Sequence, residues 1–420
     1  VGLDVPVIPV EHQFLVTEQH PEIMERKKQG LPEMAVLRES DSAYYLREEA
    51  GGMILGIYEK GAPACYVDGP SKDCQYELFN GELDRIMPHI DRCISRVPAF
   101  GEVGIKDIYN GAIAYTPDGN PIVGPAPGLK NFWLNEGHSF GITAAGGAGW
   151  QLAEWIVDGE PTVDMMGVDP RRFGPYATRG YLKEKNEEAY ANVFTTHYPD
   201  EERSAARPLK TAPCYDRMKA LGAVFGSVYG WERPNWFMPS LDYSLSAEEL
   251  NQEDPEKVFL NKNHSKALED GRIVEKNSFR RSNYFEHVGN ECKHVNEKVG
   301  LLDMSAFAKC IIKGPGAEGW LESIFANKMP KTIGRISLVH MLSLNGGVRA
   351  EFTVYKTGPQ SYYLVSAGAF ETHDHDYLFK LAPKDGSVSI QRVTTQTGVL
   401  VLAGPRSRDV LQKLTDTDLS

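Results

Sequence analysis

The chain has no run of about eighteen apolar residues, which excludes a helix spanning a bilayer. It has few cysteines, six in 420 residues (Cys65, Cys74, Cys93, Cys214, Cys292 and Cys310), and no Cys-x-x-Cys. That scarcity favours free thiols in a reducing compartment over a disulfide framework. Cys292 and His294 have no second ligand pair to complete a zinc site, so no metal is expected. Positive charge is also short: 45 Lys and Arg against 57 Asp and Glu leave a formal net charge of -12, with no basic stripe to attract nucleic acid. Neither a basic signal peptide nor an Arg-rich transit segment stands at the start. The chain begins instead inside an apolar alternation, Val5 to Val7, which reads as a cut through a strand.

What is present suffices for a large core, since 41% of the residues are hydrophobic. Strand-like alternation runs through Phe14–Val16, Met34–Leu37, Tyr44–Leu46 and Met53–Tyr58 with short polar or glycine breaks, as in an antiparallel meander. Leu83, Ile86, Ile90, Cys93 and Ile94 recur at helical spacing, predicting a helix from about Glu82 to Arg96. A segment from Tyr115 through Thr116-Pro117-Asp118-Gly119-Asn120-Pro121 leads by Phe132-Trp133-Leu134 into Gly137-His138-Ser139-Phe140-Gly141. Gly146-Gly147-Ala148-Gly149 then opens toward Trp150–Ile156. This order reads as strand, tight turn, strand, glycine loop and helix, in which backbone N–H groups can approach a polarised ligand.

Residues 161–208 are polar with scattered aromatics and read as a connecting module. Beyond them strands return, at Cys310–Ile312, Met341–Leu344, Phe352–Tyr355, Tyr362–Val365 and Val399–Leu402. Helices are predicted at Ala317–Phe325 and Arg406–Leu414. The mixture implies an α+β architecture. The run His373-Asp374-His375-Asp376 sends consecutive side chains in different directions, which predicts a solvated segment end and not a metal site.

Three segments resemble the dimethylglycine and sarcosine dehydrogenase family: Pro9-Val10-Glu11-His12-Gln13-Phe14, Tyr44-Tyr45-Leu46-Arg47-Glu48, and the block from Thr116 to Gly149. The second half is similar to the aminomethyltransferase fold of the glycine cleavage system. That likeness rests on Pro213-Cys214-Tyr215-Asp216, Gly230-Trp231-Glu232-Arg233-Pro234, Leu302-Asp303-Met304-Ser305 and Gly346-Gly347-Val348-Arg349-Ala350-Glu351. The resemblance implies three parts. Residues 1–160 would form a substrate-domain antiparallel sheet with the C-terminal part of an FAD-binding α/β domain. Residues 161–208 would connect it to an incomplete aminomethyltransferase-like α+β domain at 209–420.

The same resemblance implies FAD and tetrahydrofolate as cofactors. The Gly-x-Gly-x-x-Gly expected near the start is missing, as is the histidine that carries the flavin covalently. The chain alone is therefore expected to bind flavin poorly. The implied reaction is oxidative N-demethylation of a small N-methylglycine, with the one-carbon unit passed to tetrahydrofolate. Ile324-Phe325-Ala326-Asn327 and Leu411-Gln412-Lys413-Leu414 favour the dimethylglycine branch over the sarcosine branch. A third alternative is a catalytically silent homologue like the pyruvate dehydrogenase phosphatase regulatory subunit. An electron acceptor is required, such as an electron-transfer flavoprotein or oxygen. The implied compartment is the bacterial cytoplasm or the mitochondrial matrix.

His12 and Tyr44 are the residues implied for amine oxidation, meeting across one face of the sheet, with Tyr45 turned away. Leu134, Gly137, His138, Ser139, Gly141 and Ile142 are implied at the flavin. Phe307 is implied to pack on the pterin. Glu351, where the family usually has Asp, is implied as the carboxylate of one-carbon transfer.

Overall fold

The computed structural model describes residues 2–75, 77–251 and 265–419. In the first half the elements are β1 (Val10–Thr17), α1 (Pro21–Lys28), β2 (Leu37–Glu39), β3 (Tyr44–Glu49), β4 (Gly52–Ile57), α2 (Leu83–Arg96), β5 (Ile105–Ile113), β6 (Ile122–Pro125), β7 (Trp133–Glu136), α3 (Gly141–Asp158) and α4 (Arg179–Asn192). An open antiparallel sheet runs in the order β2-β3-β4-β1-β5, with α2 on one face. Ile86, Ile90 and Cys93 lie on one stripe of α2 and pack with Leu15, Tyr44, Leu46, Leu55 and Ile57. Burial of each such aliphatic side chain contributes about 2 kcal/mol.

The second half contains α5 (Tyr215–Ala220), β8 (Ala223–Val228), β9 (Trp231–Phe237), α6 (Ala247–Asn251), β10 (Ser265–Ala267), β11 (Ile273–Lys276), α7 (Phe285–Glu297), β12 (Gly300–Asp303), β13 (Ala308–Lys313), α8 (Ala317–Ile324), β14 (Ile336–Leu342), β15 (Val348–Gly358), β16 (Ser361–Ser366), α9 (Glu371–Leu381), β17 (Ser389–Arg392), β18 (Leu400–Ala403) and α10 (Ser407–Leu411). Its main sheet is again antiparallel, in the order β14-β15-β16-β13-β17. Trp320 and Leu321 of α8 and Leu378 of α9 pack on it with Val339, Phe352, Val354 and Leu364. The fold is α+β, with open antiparallel sheets in both halves. No helix of the described residues is long and apolar enough to cross a membrane.

Two expectations change here. His373, Asp374, His375 and Asp376 do not end a solvated segment; all four are buried in α9. For Asp376 the burial is offset by partners from both halves of the chain. It accepts from the Arg171 guanidinium at 3.2 Å, from Lys380 at 2.6 Å and from the backbone N–H of Gly128 at 3.2 Å. Arg171 is held in turn by Asp169, with Nη2 2.6 Å from Oδ2. Partners from distant sequence let a polar run enter the interior, which local spacing does not reveal.

The second change concerns residues 161–208, which do more than connect. Helix α4 docks on the first sheet: the buried Asn186 amide donates to the carbonyls of Ile8 and Tyr115, both at 2.9 Å, and Tyr190 is fully buried.

Candidate functional site

Residues directly opposite in an antiparallel ladder share a face. Phe14 pairs with Gly56, and Gly56 pairs with Tyr45, so Tyr45 stands on the same face as Phe14 and His12. Tyr44 pairs with Ile57 and points to the other face, into the α2 core. The structure therefore does not bring Tyr44 to His12: β4 lies between their strands, and of the two tyrosines it is Tyr45 that shares the face of His12. Burial pushes the Tyr44 phenol up to about 12, and its hydroxyl abuts the Cys93 thiol. The Tyr45 ring lies flat across Gly56, where an added Cβ would come within 1.9 Å of the ring. Glycine there makes room for the tyrosine.

His12 sits among aromatic rings. Its ring centre is 4.9 Å from that of Tyr58 and 5.8 Å from that of Tyr190. Nδ1 lies 3.0 Å from the Tyr190 hydroxyl. That hydroxyl donates to Glu59 Oε2 at 2.8 Å, and Glu59, buried, is paired with Arg85 at 2.9 Å. Since Tyr190 gives its proton to Glu59, it accepts from His12 Nδ1–H, which leaves Nε2 as the free base. Burial pushes the imidazole down to about 4, so His12 is neutral near pH 7. Tyr190 is moved far up by burial first and by Glu59 second, and keeps its proton.

Arg38, opposite Tyr45 on β2, borders the same face. Its guanidinium lies 3.7 Å above the Phe194 ring and 5.7 Å from the Tyr45 ring, and no acidic side chain pairs with it among the described residues. Phe194 meets Tyr58 at 4.6 Å and Phe140 at 5.7 Å, linking this cluster to the loop that opens α3.

That loop carries the residues expected at a flavin. Gly137 has φ +70°, a backbone conformation that favours glycine. Leu134 is buried among Ile122 and Ala126. Ser139 and Gly141 are half-buried beside the helix start, and Ile142 is fully exposed. Helix α3 has no side-chain cap, and no hydrogen bond claims its first N–H groups among the described residues. His138 Nε2–H donates to Asn135 Oδ1 at 2.7 Å, while its buried Nδ1 has no partner among the described residues. Unclaimed donors at a positive helix end suit the polarised edge of an isoalloxazine ring. The residues present thus fit the flavin end of FAD, while holding the nucleotide end falls to none of them.

In the second half, Glu351 on β15 lies opposite His340 on β14, with His340 Nε2 3.1 Å from Glu351 Oε2. Phe307 is half-buried just before β13. Ladder register carries Phe307 and Glu351 toward the same end of the sheet, two strand spacings or roughly 10 Å apart. A cavity of about 840 Å³ lies elsewhere, around Arg207, Glu232, Lys266 and Glu275, and includes none of the expected site residues. Within it Arg207 is paired with Glu232 at 2.6 Å. No group of three or more His, Cys, Asp or Glu among the described residues could hold a metal ion.

Sequence reasoning missed Tyr45, Tyr58, Glu59, Arg38 and Tyr190. Strand parity could have found Tyr45 and Arg38 had the register been anchored on Gly56. Nothing local in residues 179–192 announces Tyr190 as a partner of His12.

Comparison with known proteins accords with both halves. Residues 1–155 match the FAD dependent oxidoreductase family, 158–212 the FAD dependent oxidoreductase central domain, and 214–420 the GCVT N-terminal domain. Mitochondrial dimethylglycine dehydrogenase of Mus musculus is 37% identical over all of this chain and 45% of its own length. Mitochondrial sarcosine dehydrogenase of the same species is 30% identical over all of this chain and 46% of its own length. The pyruvate dehydrogenase phosphatase regulatory subunit, also from Mus musculus, is 28% identical over 98% of this chain and 44% of its own. The chain thus spans a little under half the length of the curated relatives it matches.

Proposed function

The chain is a homologue, along its whole length, of the dimethylglycine dehydrogenases, and from this premise we propose that it serves oxidative N-demethylation of dimethylglycine with capture of the one-carbon unit. We assign residues 1–160 to the oxidising half, 161–208 to the connecting module that also completes the site, and 209–420 to the capturing half.

The observation that carries the reading is the neutral His12 with a free Nε2, framed by Tyr58 and Tyr190. An N-methylated amine arrives as an ammonium ion whose lone pair is occupied. His12 Nε2 accepts a hydrogen bond from that ammonium and orients it for loss of the proton, and Tyr190 holds the imidazole in the tautomer that makes acceptance possible. Arg38, unpaired and flanked by Phe194, binds the substrate carboxylate, and Tyr45 donates to it or packs on the methyl groups. The N–H groups around Gly137, His138, Ser139, Gly141 and Ile142 would hold the flavin of FAD, which would supply the two-electron oxidation. An electron-transfer flavoprotein or oxygen takes the electrons onward. The compartment is the mitochondrial matrix in a eukaryote and the cytoplasm in a bacterium.

In the second half, Phe307 packs on the pterin, and tetrahydrofolate, when bound, supplies the nucleophilic nitrogens that accept the one-carbon unit. Glu351 holds and moves a proton at Oε2 during that transfer. The test is stopped-flow reduction of the flavin-loaded protein by dimethylglycine. His12→Gln is expected to slow reduction at least a hundredfold at unchanged flavin content, in keeping with the 10²–10⁴-fold contribution, roughly, of a positioned base. Reduction at the wild-type rate would defeat the assignment.

A further inference from the structure

Strands β14 and β15 place His340 directly opposite Glu351. The loop after α8 adds a third group. Asn327 Oδ1 lies 3.0 Å from the backbone nitrogen of His340 and 3.2 Å from its ring Nδ1. A backbone N–H can only donate, so the amide oxygen must face it, which fixes the orientation of Asn327. The same oxygen cannot donate to the ring, so His340 Nδ1 carries a hydrogen. The backbone N–H of Ala326 donates to the His340 carbonyl at 2.9 Å and ties the loop to the strand.

A neutral imidazole has a single N–H. With that hydrogen committed to Asn327, Nε2 would meet Glu351 Oε2 lone pair to lone pair. Their 3.1 Å contact requires a hydrogen between them.

We propose that His340, locked by Asn327, is the positioning residue for Glu351: it fixes the carboxylate rotamer and shares one exchangeable proton with it. The inference rests on the one-carbon role assigned to Glu351. In that transfer two carbon–nitrogen bonds form, and the iminium carbon's bond to the departing amine breaks with its electrons going to the amine nitrogen. Each accepting nitrogen loses a proton, and the departing amine gains both, so charge and electrons balance without an oxidant. A pair that holds one proton can release it to the amine while Glu351 takes another from the accepting nitrogen.

Ring-¹⁵N histidine NMR of the protein, without folate, tests the lock directly, with the His340 lines assigned by their loss in His340→Gln. The expected spectrum shows hydrogen on both Nδ1 and Nε2 of His340. In Asn327→Leu the Nδ1 hydrogen is lost, and Asn327→Asp, which keeps an acceptor, restores it. A His340 ring without hydrogen at Nδ1, or an unchanged spectrum in Asn327→Leu, overturns the proposal. The second readout is free formaldehyde per amine oxidised, with tetrahydrofolate in excess. His340→Gln and Asn327→Leu should raise it about tenfold, and Asn327→Asp should stay near wild type. If Glu351→Gln raises formaldehyde and His340→Gln does not, the positioning role fails alone. If neither raises it, the function assigned to Glu351 fails with it.

Discussion

The Tyr190 hydroxyl lies 3.0 Å from His12 Nδ1 although 178 positions separate the two residues. It also donates to Glu59, so one phenol orients the imidazole and satisfies a buried carboxylate. Tyr190→Phe removes both bonds. Flavin reduction by dimethylglycine is expected to slow about tenfold at unchanged flavin content, because the imidazole loses its fixed tautomer. Stability should fall by about 1–3 kcal/mol, the cost of leaving a buried acceptor unpaired, as measured by urea denaturation.

Histidine burial sets an acid sensitivity with a definite sign. Burial lowers His12 and His375 to about 4 from the ordinary histidine value of about 6.5. Between these values the unfolded chain binds more protons than the folded one, so folding stability rises with pH through that window. The contribution is fully present above about 6.5 and is lost as pH falls toward 4. Denaturation midpoints at pH 7 and pH 5 should differ less in His375→Leu than in wild type. An equal difference would show that His375 is not held neutral in the folded protein.

The two adjacent tyrosines are expected to separate cleanly. Tyr45→Phe should raise KM for dimethylglycine or slow reduction, since its ring borders the His12 face. Tyr44→Phe should leave the reduction rate unchanged and shift stability by less than about 1.5 kcal/mol, since it alters only a buried hydroxyl beside a thiol. Gly56→Ala offers a third reading of the same geometry, because its Cβ would strike the Tyr45 ring. It should impair reduction as Tyr45→Phe does. Steady-state kinetics on the three variants, with thermal unfolding alongside, decide the matter.

The pairing of Arg171 with Asp169 and Asp376 joins distant parts of the chain through buried charge. Arg171→Met leaves two carboxylates without their cation and is expected to cost about 3–5 kcal/mol. Replacing Asp376 by Asn as well should cost less than the sum of the single changes. A double-mutant cycle by chemical denaturation measures the difference, and strict additivity would show that the contact is energetically silent.

Much of this was legible beforehand where pattern is local. The helix expected over Glu82–Arg96 is present at Leu83–Arg96, because Ile86, Ile90 and Cys93 mark one stripe. The helix expected at Ala317–Phe325 is present at Ala317–Ile324. The strand-turn-strand-helix order leading into α3 also follows the sequence. Strand parity was harder: Tyr44 and Tyr45 are chemically equal choices until a register is known, and Gly56 sets it only through contact with a ring on another strand. The buried run at His373–Asp376 and the role of Tyr190 were not legible, because their partners Arg171, Gly128 and His12 lie far away in sequence. The polar stretch around Ser244–Asn277 holds α6, β10 and β11, with residues 252–264 outside the described residues.

The docking of α4 has a kinetic consequence. A site in which His12 is oriented by a helix joined through a long loop cannot be assembled when the strand of His12 first pairs. Loop-closure entropy must be met before Tyr190 rewards it, so the sheet should gain protection from hydrogen exchange before α4 does during refolding. In the native state the same order runs backward: undocking of α4 releases His12 from its tautomer while β1 stays paired. Catalytic competence would then be governed by the opening equilibrium of one helix, and amide exchange at Asn186 and Tyr190 would report it.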